Sequence, residues 1–293
     1  MYALIALGYT LVYGIIELIN FAHGEIFTFG AFVGLAVLTA LSGTPLSAAA
    51  FALPAAFLLS MALTAGLGAG MDRLAYRPLR QSPRLTALIS ALGASVFLMN
   101  AMMLFFGRDS KPFPVYLQAP VYERGLFVIR QIDLFLVAVT IVLCFFLDRF
   151  VRRSRLGRAM RSVAMDSEAA RMCGVSVNAT IAITFVLGSG LASAAGILNG
   201  LYYGVIRFDM GFLAGMKAFT AAVLGGIGNL RGAMLGGFVL GISESLIPAI
   251  LAAPPFSVPE IFDYKDAVAF VILIGVLVIK PSGILGEELP EKA

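Results

Sequence analysis

The chain has 293 residues, 60% of them hydrophobic and only 13% charged, with a mean hydropathy of +0.94. A soluble domain carries about 25% charged residues, so this composition excludes one and describes an integral membrane protein. The formal charge of +4 comes from arginines clustered beside apolar runs, a pattern that reports membrane orientation and argues against a nucleic-acid partner.

Met1 opens directly into YALIALGYTLVYGIIELI, with neither a basic n-region nor a small-residue cleavage site, so this stretch reads as a retained span rather than a removable signal. A chain that begins inside an apolar run also fits a start lying further upstream. Stretches approaching the roughly 20 apolar residues that cross a bilayer fall at about 1–19, 26–42, 46–71, 85–106, 132–147, 179–204, 232–252 and 265–280. A further segment at 214–227 is short and glycine-rich. Strand alternation is absent from all of them, so helices must satisfy the backbone. The fold expected is an all-α polytopic membrane protein: about eight transmembrane helices, one short broken or re-entrant segment and a small extracytoplasmic hairpin-like loop, in a single domain over 1–293.

Two basic loops fix the orientation. The loop DRLAYRPLRQSPR, 72–84, carries Arg73, Arg77, Arg80 and Arg84, and two crossings later 148–178 carries seven arginines. Both therefore face the cytoplasm, which puts 107–131 outside. That loop holds Pro112, Pro114 and Pro120, and Glu123-Arg124-Gly125 separates two β-branched and aromatic runs, so a hairpin cap is expected. The sidedness of the tail after Lys280 depends on whether 214–227 crosses or turns back.

The polar interruption divides in two. Leu156, Ala159, Met160, Val163 and Ala164 share one helical face, giving an amphipathic helix suited to lying on a membrane or against other helices. Asp166 then stands as an N-cap, Ser167–Cys173 allows two turns, and Gly174 suits the left-handed position after a helix. From residue chemistry alone, this loop is either a lipid-anchoring surface or a contact for a soluble partner.

No nucleophile with its base, no metal-ligand spacing and no phosphate-binding Gly-Lys-Ser/Thr run occurs, and His23 is the single histidine. The chain is not expected to be an enzyme or to bind a cofactor. Cys144 lies in an apolar run and Cys173 in the basic loop, so a disulfide between them is not expected. Polar residues within the spans are the candidates for function, because hydrocarbon tolerates them only with partners or water: Glu17, Asn20, His23, Glu25, Asn100, Asn199, Ser243 and Glu244. Asn20, His23 and Glu25 read as the caps and junction of two helices. Glu17 and Glu244 have no opposite charge nearby in sequence. Gly225, Gly226 and Gly228, followed by Asn229, should interrupt a helix. Gly232 with Gly236, and Gly237 with Gly241, have the spacing that lets helices approach closely. NFAHGEIFTFGAFVG at 20–34 faintly echoes NLRGAMLGGFVLG at 229–241, as an internal duplication would.

Three stretches together resemble the LivH-type permease subunit of branched-chain amino acid ABC importers: ALIALGYTLVYGIIELINFAHGEIFTFGAF, then Glu168-Ala169-Ala170 with Gly174 followed by TFVLGSGLASAAGILNGL, then AFTAAVLGGIGNLRGAMLGG. The resemblance covers nearly the whole chain. It departs from the importer pattern where Ile-x-Leu-Pro is missing after Gly174, and relatives carry further residues before the equivalent of Tyr2. The resemblance implies a non-catalytic subunit in a bacterial or archaeal cytoplasmic membrane. Its implied partners are a second homologous permease, two cytoplasmic ATPases that use ATP, an extracytoplasmic substrate-binding protein and the membrane lipid. It further implies that Asp166, Ser167, Glu168, Ala169, Ala170, Arg171 and Gly174 form the ATPase-coupling element, with Ala169 and Ala170 entering a groove. Urea, short amides or another small amino acid are the alternative cargoes, and a self-sufficient secondary transporter or channel is the alternative class.

Overall fold

The computed structural model describes residues 1–16, 18–80, 82–114, 116–117, 120–124, 127–252, 264–280 and 282–286. In chain order these form α1 (Tyr2–Ile16), α2 (His23–Leu41), α3 (Ala49–Met71), α4 (Arg84–Phe106), β1 (Lys111–Pro112), β2 (Pro120–Arg124), β3 (Phe127–Arg130), α5 (Gln131–Arg153), α6 (Arg155–Met165), α7 (Ser167–Met172), α8 (Val177–Tyr203), β4 (Val205–Ile206), α9 (Met210–Gly225), α10 (Leu230–Ala252) and α11 (Lys265–Ile279). Six of them, α2, α3, α4, α5, α8 and α10, are long and apolar enough to cross a bilayer, and α1, α9 and α11 are shorter apolar helices.

The two ends of the molecule differ in chemistry. At one end β2 and β3 pair as the expected antiparallel hairpin, and β1 pairs with β4 beside the end of α8. The hairpin turn at Gly125 lies outside the described residues. At the other end the basic loops meet, since the Arg80 guanidinium bonds both Asp72 of its own loop and Asn178 in the first turn of α8. Arg231, at the start of α10, reaches Asp148 near the end of α5 at 3.3 Å. The tail after α11 returns to this basic end, where Ile284 and Leu285 donate to the carbonyls of Leu224 and Gly225 at 2.9 and 3.0 Å. The 214–227 segment therefore belongs to a crossing. Residues 214–225 lie in the continuous helix α9, and the glycine break begins at Gly226, within the segment.

Two helices begin inside the bilayer. Gly8 of α1 packs on His23, the first residue of α2. Gly8 is eight residues before the end of α1, so at 1.5 Å per residue α2 starts about 12 Å above the basic end. Likewise α9 has 16 residues, about 24 Å, against a hydrocarbon depth of about 30 Å. The non-helical stretches 18–22 and 204–209 lead into these starts.

α1–α2–α3 and α8–α9–α10 run in opposite directions and pack in matching ways: α1 meets α9 as α8 meets α2, and α1 meets α10 as α8 meets α3. The local axis passes between Gly24 and Gly211, where a Cβ on either would stand 2.2 or 2.4 Å from the other's carbonyl oxygen. This is an inverted repeat. The counterpart of 20–34 is thus 207–221, where Phe21, Gly24, Ala31 and Phe32 correspond to Phe208, Gly211, Ala218 and Phe219, rather than the 229–241 stretch that the sequence suggested.

Candidate functional site

The basic end presents one small helix outward. Ser154 ends α5 and starts α6, its hydroxyl accepting from the Gly157 amide at 2.8 Å. Gly157 is required there, because a Cβ would lie 2.1 Å from the Val151 carbonyl oxygen. That tight turn rotates α6, so that Gly157, Met160 and Val163 are buried. Leu156 and Ala164, expected on the seated face, are exposed.

Asp166 is the N-cap of α7, its carboxylate accepting from the amides of Glu168 at 2.8 Å and Ala169 at 2.9 Å. At the other end Gly174 adopts φ +82. Gly174 and Val175 donate to the carbonyls of Arg171 and Ala170 at 3.0 and 2.9 Å, closing a Schellman motif. A helix of six residues is marginal alone, and these two caps hold it. Ser167, Glu168, Ala169 and Arg171 are exposed, but Ala170 is 4% exposed. Ala170 therefore anchors α7 to its own fold, and of the two alanines only Ala169 is free to enter a partner's groove. The sequence reading missed Met165 and Met172, 88% and 90% exposed at the two ends of α7. Unpaired methionines flanking a capped helix were a legible signal, since methionine adapts to partner surfaces.

Within the bilayer, Asn20, His23 and Glu25 are all buried, and none of them caps α2 through its side chain. The N-cap of α2 is Ala22, with no side-chain bond. Asn20 instead accepts from the Tyr76 hydroxyl at 2.6 Å, tying the lead-in of α2 to the turn after α3. The His23 ring meets Tyr9 edge-on, centroids 4.8 Å apart. Both His23 and Glu25 are 1% exposed, and His23 Nε2, Glu25 Oε2 and Thr28 Oγ1 lack partners among the described residues. This polar knot surrounds the Gly24–Gly211 contact, which is packed shut. Glu17 lies outside the described residues.

Gly225, Gly226, Gly228 and Asn229 form a packed turn at the basic end. Gly226 and Gly228 take φ +104 and +93. Gly225 abuts Gly232, whose carbonyl oxygen would lie 2.0 Å from an added Cβ. Asn229 starts α10, its side-chain oxygen accepting from the amides of Arg231 and Gly232 at 3.1 Å, while its amide nitrogen holds the Leu285 carbonyl at 2.9 Å.

Glu244 has the opposite charge that sequence proximity did not reveal. Lys217 of α9 reaches Glu244 at 2.6 Å and Asp266 of α11 at 2.5 Å, and donates to the Tyr2 hydroxyl at 3.3 Å. Lys217 and Glu244 side chains are 5% and 10% exposed, Asp266 35%. Four helices are joined at this point. Lys217 stands alone as a charge within MGFLAGMKAFTAAVLG, and that isolation was the available signal. Among the described residues Asn100 bonds only its own helix, at Val96, and the Asn199 amide nitrogen lies 3.7 Å from Met210 Sδ.

The comparisons cover the whole of this arrangement. A family model described as the permease component of branched-chain amino acid transport systems matches residues 1–277. The chain is 45% identical over 295 residues to the high-affinity branched-chain amino acid transport system permease protein BraD of Pseudomonas aeruginosa, covering 99% of this chain and 93% of the relative. To the corresponding protein LivH of Escherichia coli it is 43% identical over 302 residues, with the same coverage. It is also 30% identical over 238 residues to the autoinducer 2 import system permease protein LsrC of Enterobacter sp., covering 78% of this chain and 64% of that protein. No solved structure matches.

Proposed function

We propose that this chain, which belongs to the family of permease components of branched-chain amino acid transport systems, carries leucine, isoleucine or valine across a prokaryotic cytoplasmic membrane as half of an ATP-driven importer. The identity to BraD and LivH over 99% of the chain carries this reading. A second permease completes the pathway, an extracytoplasmic binding protein delivers the amino acid, and two ATPases grip the basic end. That end is then cytoplasmic, in keeping with its arginines.

The capped helix α7 supports the coupling assignment. An element that transmits a motor's stroke must be stiff, exposed and joined to the spans it moves. α7 is capped at both ends by its own chain, presents Glu168, Ala169 and Met172 beside Met165 at the end of α6, and is followed after a short link by α8. Asp166, Ser167, Arg171 and Gly174 shape and border that surface.

Proteoliposomes test the reading. With the binding protein, both permeases and both ATPases, labelled leucine uptake should require ATP and fall to background when the ATPases are omitted. Uptake by this chain alone, without ATP, would refute it, and saturation by urea or short amides in place of leucine would reassign the cargo. An Ala169→Arg variant should insert normally yet fail to retain the ATPases.

A further inference from the structure

A cleft of about 710 Å³ opens beside α7 at the basic end, between it and the turn after α3. Its level is set by the last residues of α1, Ile15 and Ile16, and by Ile181 in the second turn of α8. This is the depth at which spans leave hydrocarbon and meet headgroups. Those isoleucines give the cleft an aliphatic floor.

Its rim is basic. Arg77, Arg80 and Arg171 line it, and no acidic side chain does so among the described residues. Arg77 and Arg171 are exposed and form no ion pair among the described residues. Arg80 uses its two terminal nitrogens on Asn178 and Asp72, yet its buried Nε has no acceptor among the described residues. A buried guanidinium N–H without an acceptor lacks a charge-assisted bond that a nearby anionic oxygen would supply.

We infer that this cleft holds the phosphate of an anionic phospholipid from the same leaflet, its oxygens accepting from Arg77, Arg171 and the Arg80 Nε–H while its acyl chains lie along Ile15, Ile16 and Ile181. An acidic peptide would satisfy the rim but not the floor, and free phosphate would leave the floor empty. Basic pockets between spans on the cytoplasmic side recognise lipid headgroups in this way. The bound lipid sits between α7 and the turn after α3, so it packs the underside of the coupling element. The site stands independently of which amino acid is carried.

The chain has no tryptophan, which makes a direct test possible. Leu18 lines the cleft; a Leu18→Trp reporter in the full chain is reconstituted in phosphatidylcholine vesicles containing brominated phosphatidylglycerol or brominated phosphatidylcholine. Phosphatidylglycerol should quench it preferentially, by about fivefold for each arginine engaged. A Phe97→Trp reporter on α4, 71% exposed, should show no preference. The Arg77→Gln, Arg171→Gln pair should remove most of the preference at the cleft, and raising sodium chloride on the unsubstituted rim should weaken it without any further substitution. Equal quenching by both lipids overturns the proposal, as does a preference indifferent to the arginines or to salt. Erasure by inorganic phosphate would assign the cleft to the free ion, and erasure on adding the ATPases would assign it to them; either result overturns the lipid site.

Discussion

Replacing Lys217 by methionine tests what the intramembrane ion cluster does. Methionine is of similar length and apolar, so the change removes the charge while nearly filling the space. Lys217 is 5% exposed and holds Oε1 of Glu244, 10% exposed, at 2.6 Å, while Glu244 Oε2 has no hydrogen-bond partner among the described residues. Removing one member of a buried pair costs about 3–5 kcal/mol because the other is left uncompensated. The second pair, to Asp266, counts for less: that carboxylate is 35% exposed, and solvent screening limits such a pair to about 1 kcal/mol. Lys217→Met should therefore destabilise the chain by about 4 kcal/mol, nearly all of it from Glu244.

The partition is checked by a cycle. If the loss is an orphaned charge, Lys217→Met with Glu244→Leu should recover to within about 1 kcal/mol of the parent, since apolar replacement of a whole buried pair is often close to neutral. Titration with dodecyl sulfate in mixed micelles, followed by circular dichroism, measures the parent and both variants. A single variant within about 1 kcal/mol of the parent, or a double variant worse than the single, would refute the reasoning.

Two further outcomes follow from the glycine contact and the coupling helix. Gly24→Ala drives a Cβ to 2.2 Å from the Gly211 oxygen, a backbone atom that cannot swing away. Overpacking of about 1–3 kcal/mol is expected in the same titration, whereas Gly66→Ala, with nothing within 4 Å, should be neutral or slightly stabilising. Asp166→Ala deletes a cap worth about 1 kcal/mol, so amide exchange in 167–172 should quicken about fivefold and ATPase retention should fall.

The spans, the hairpin strands and the capped α7 were legible in the sequence because each depends on local chemistry. Asp166 and Gly174 announce the ends of α7 by residue type alone, and the strands of the cap follow from their apolar runs. What sequence hid was pairing across distance. Ala169 and Ala170 are adjacent and chemically identical, and only the packing of α7 on its own fold decides which is free. The Lys217 bond to Glu244 spans 27 positions and the Tyr76 bond to Asn20 spans 56, separations at which helical periodicity carries no information. The inverted repeat was blurred for a similar reason. Its matched residues, such as Phe21 with Phe208, are scattered among positions whose neighbours have diverged, whereas the glycines of 229–241 looked alike without occupying the same place.

The repeat is interleaved, and this determines how a pull on α7 can travel. α8 packs with α2 and α3, locked where Ser60 donates to the Gly30 carbonyl at 2.6 Å and its hydroxyl meets that of Ser193 at 2.7 Å. α1 packs with α9 and α10, Gly237 closing on Ala3. Each block thus takes the first helix of the opposite repeat, and the blocks meet where small residues touch, Gly8 on Gly188 and Gly24 on Gly211. α7 is joined through residues 173–176 to α8 alone of the two blocks' helices, so a stroke should move the α2–α3–α8 block against the α1–α9–α10 block. Spin labels at Leu59 on α3 and Leu246 on α10, both 53% exposed, should change separation when ATP binds the assembled transporter. Labels at Leu59 and Tyr203, the latter at the end of α8 and 55% exposed, should hold their distance. The opposite pattern would mean that the seam runs between the two sequence repeats instead, and that the serine lock between α3 and α8 opens in the cycle.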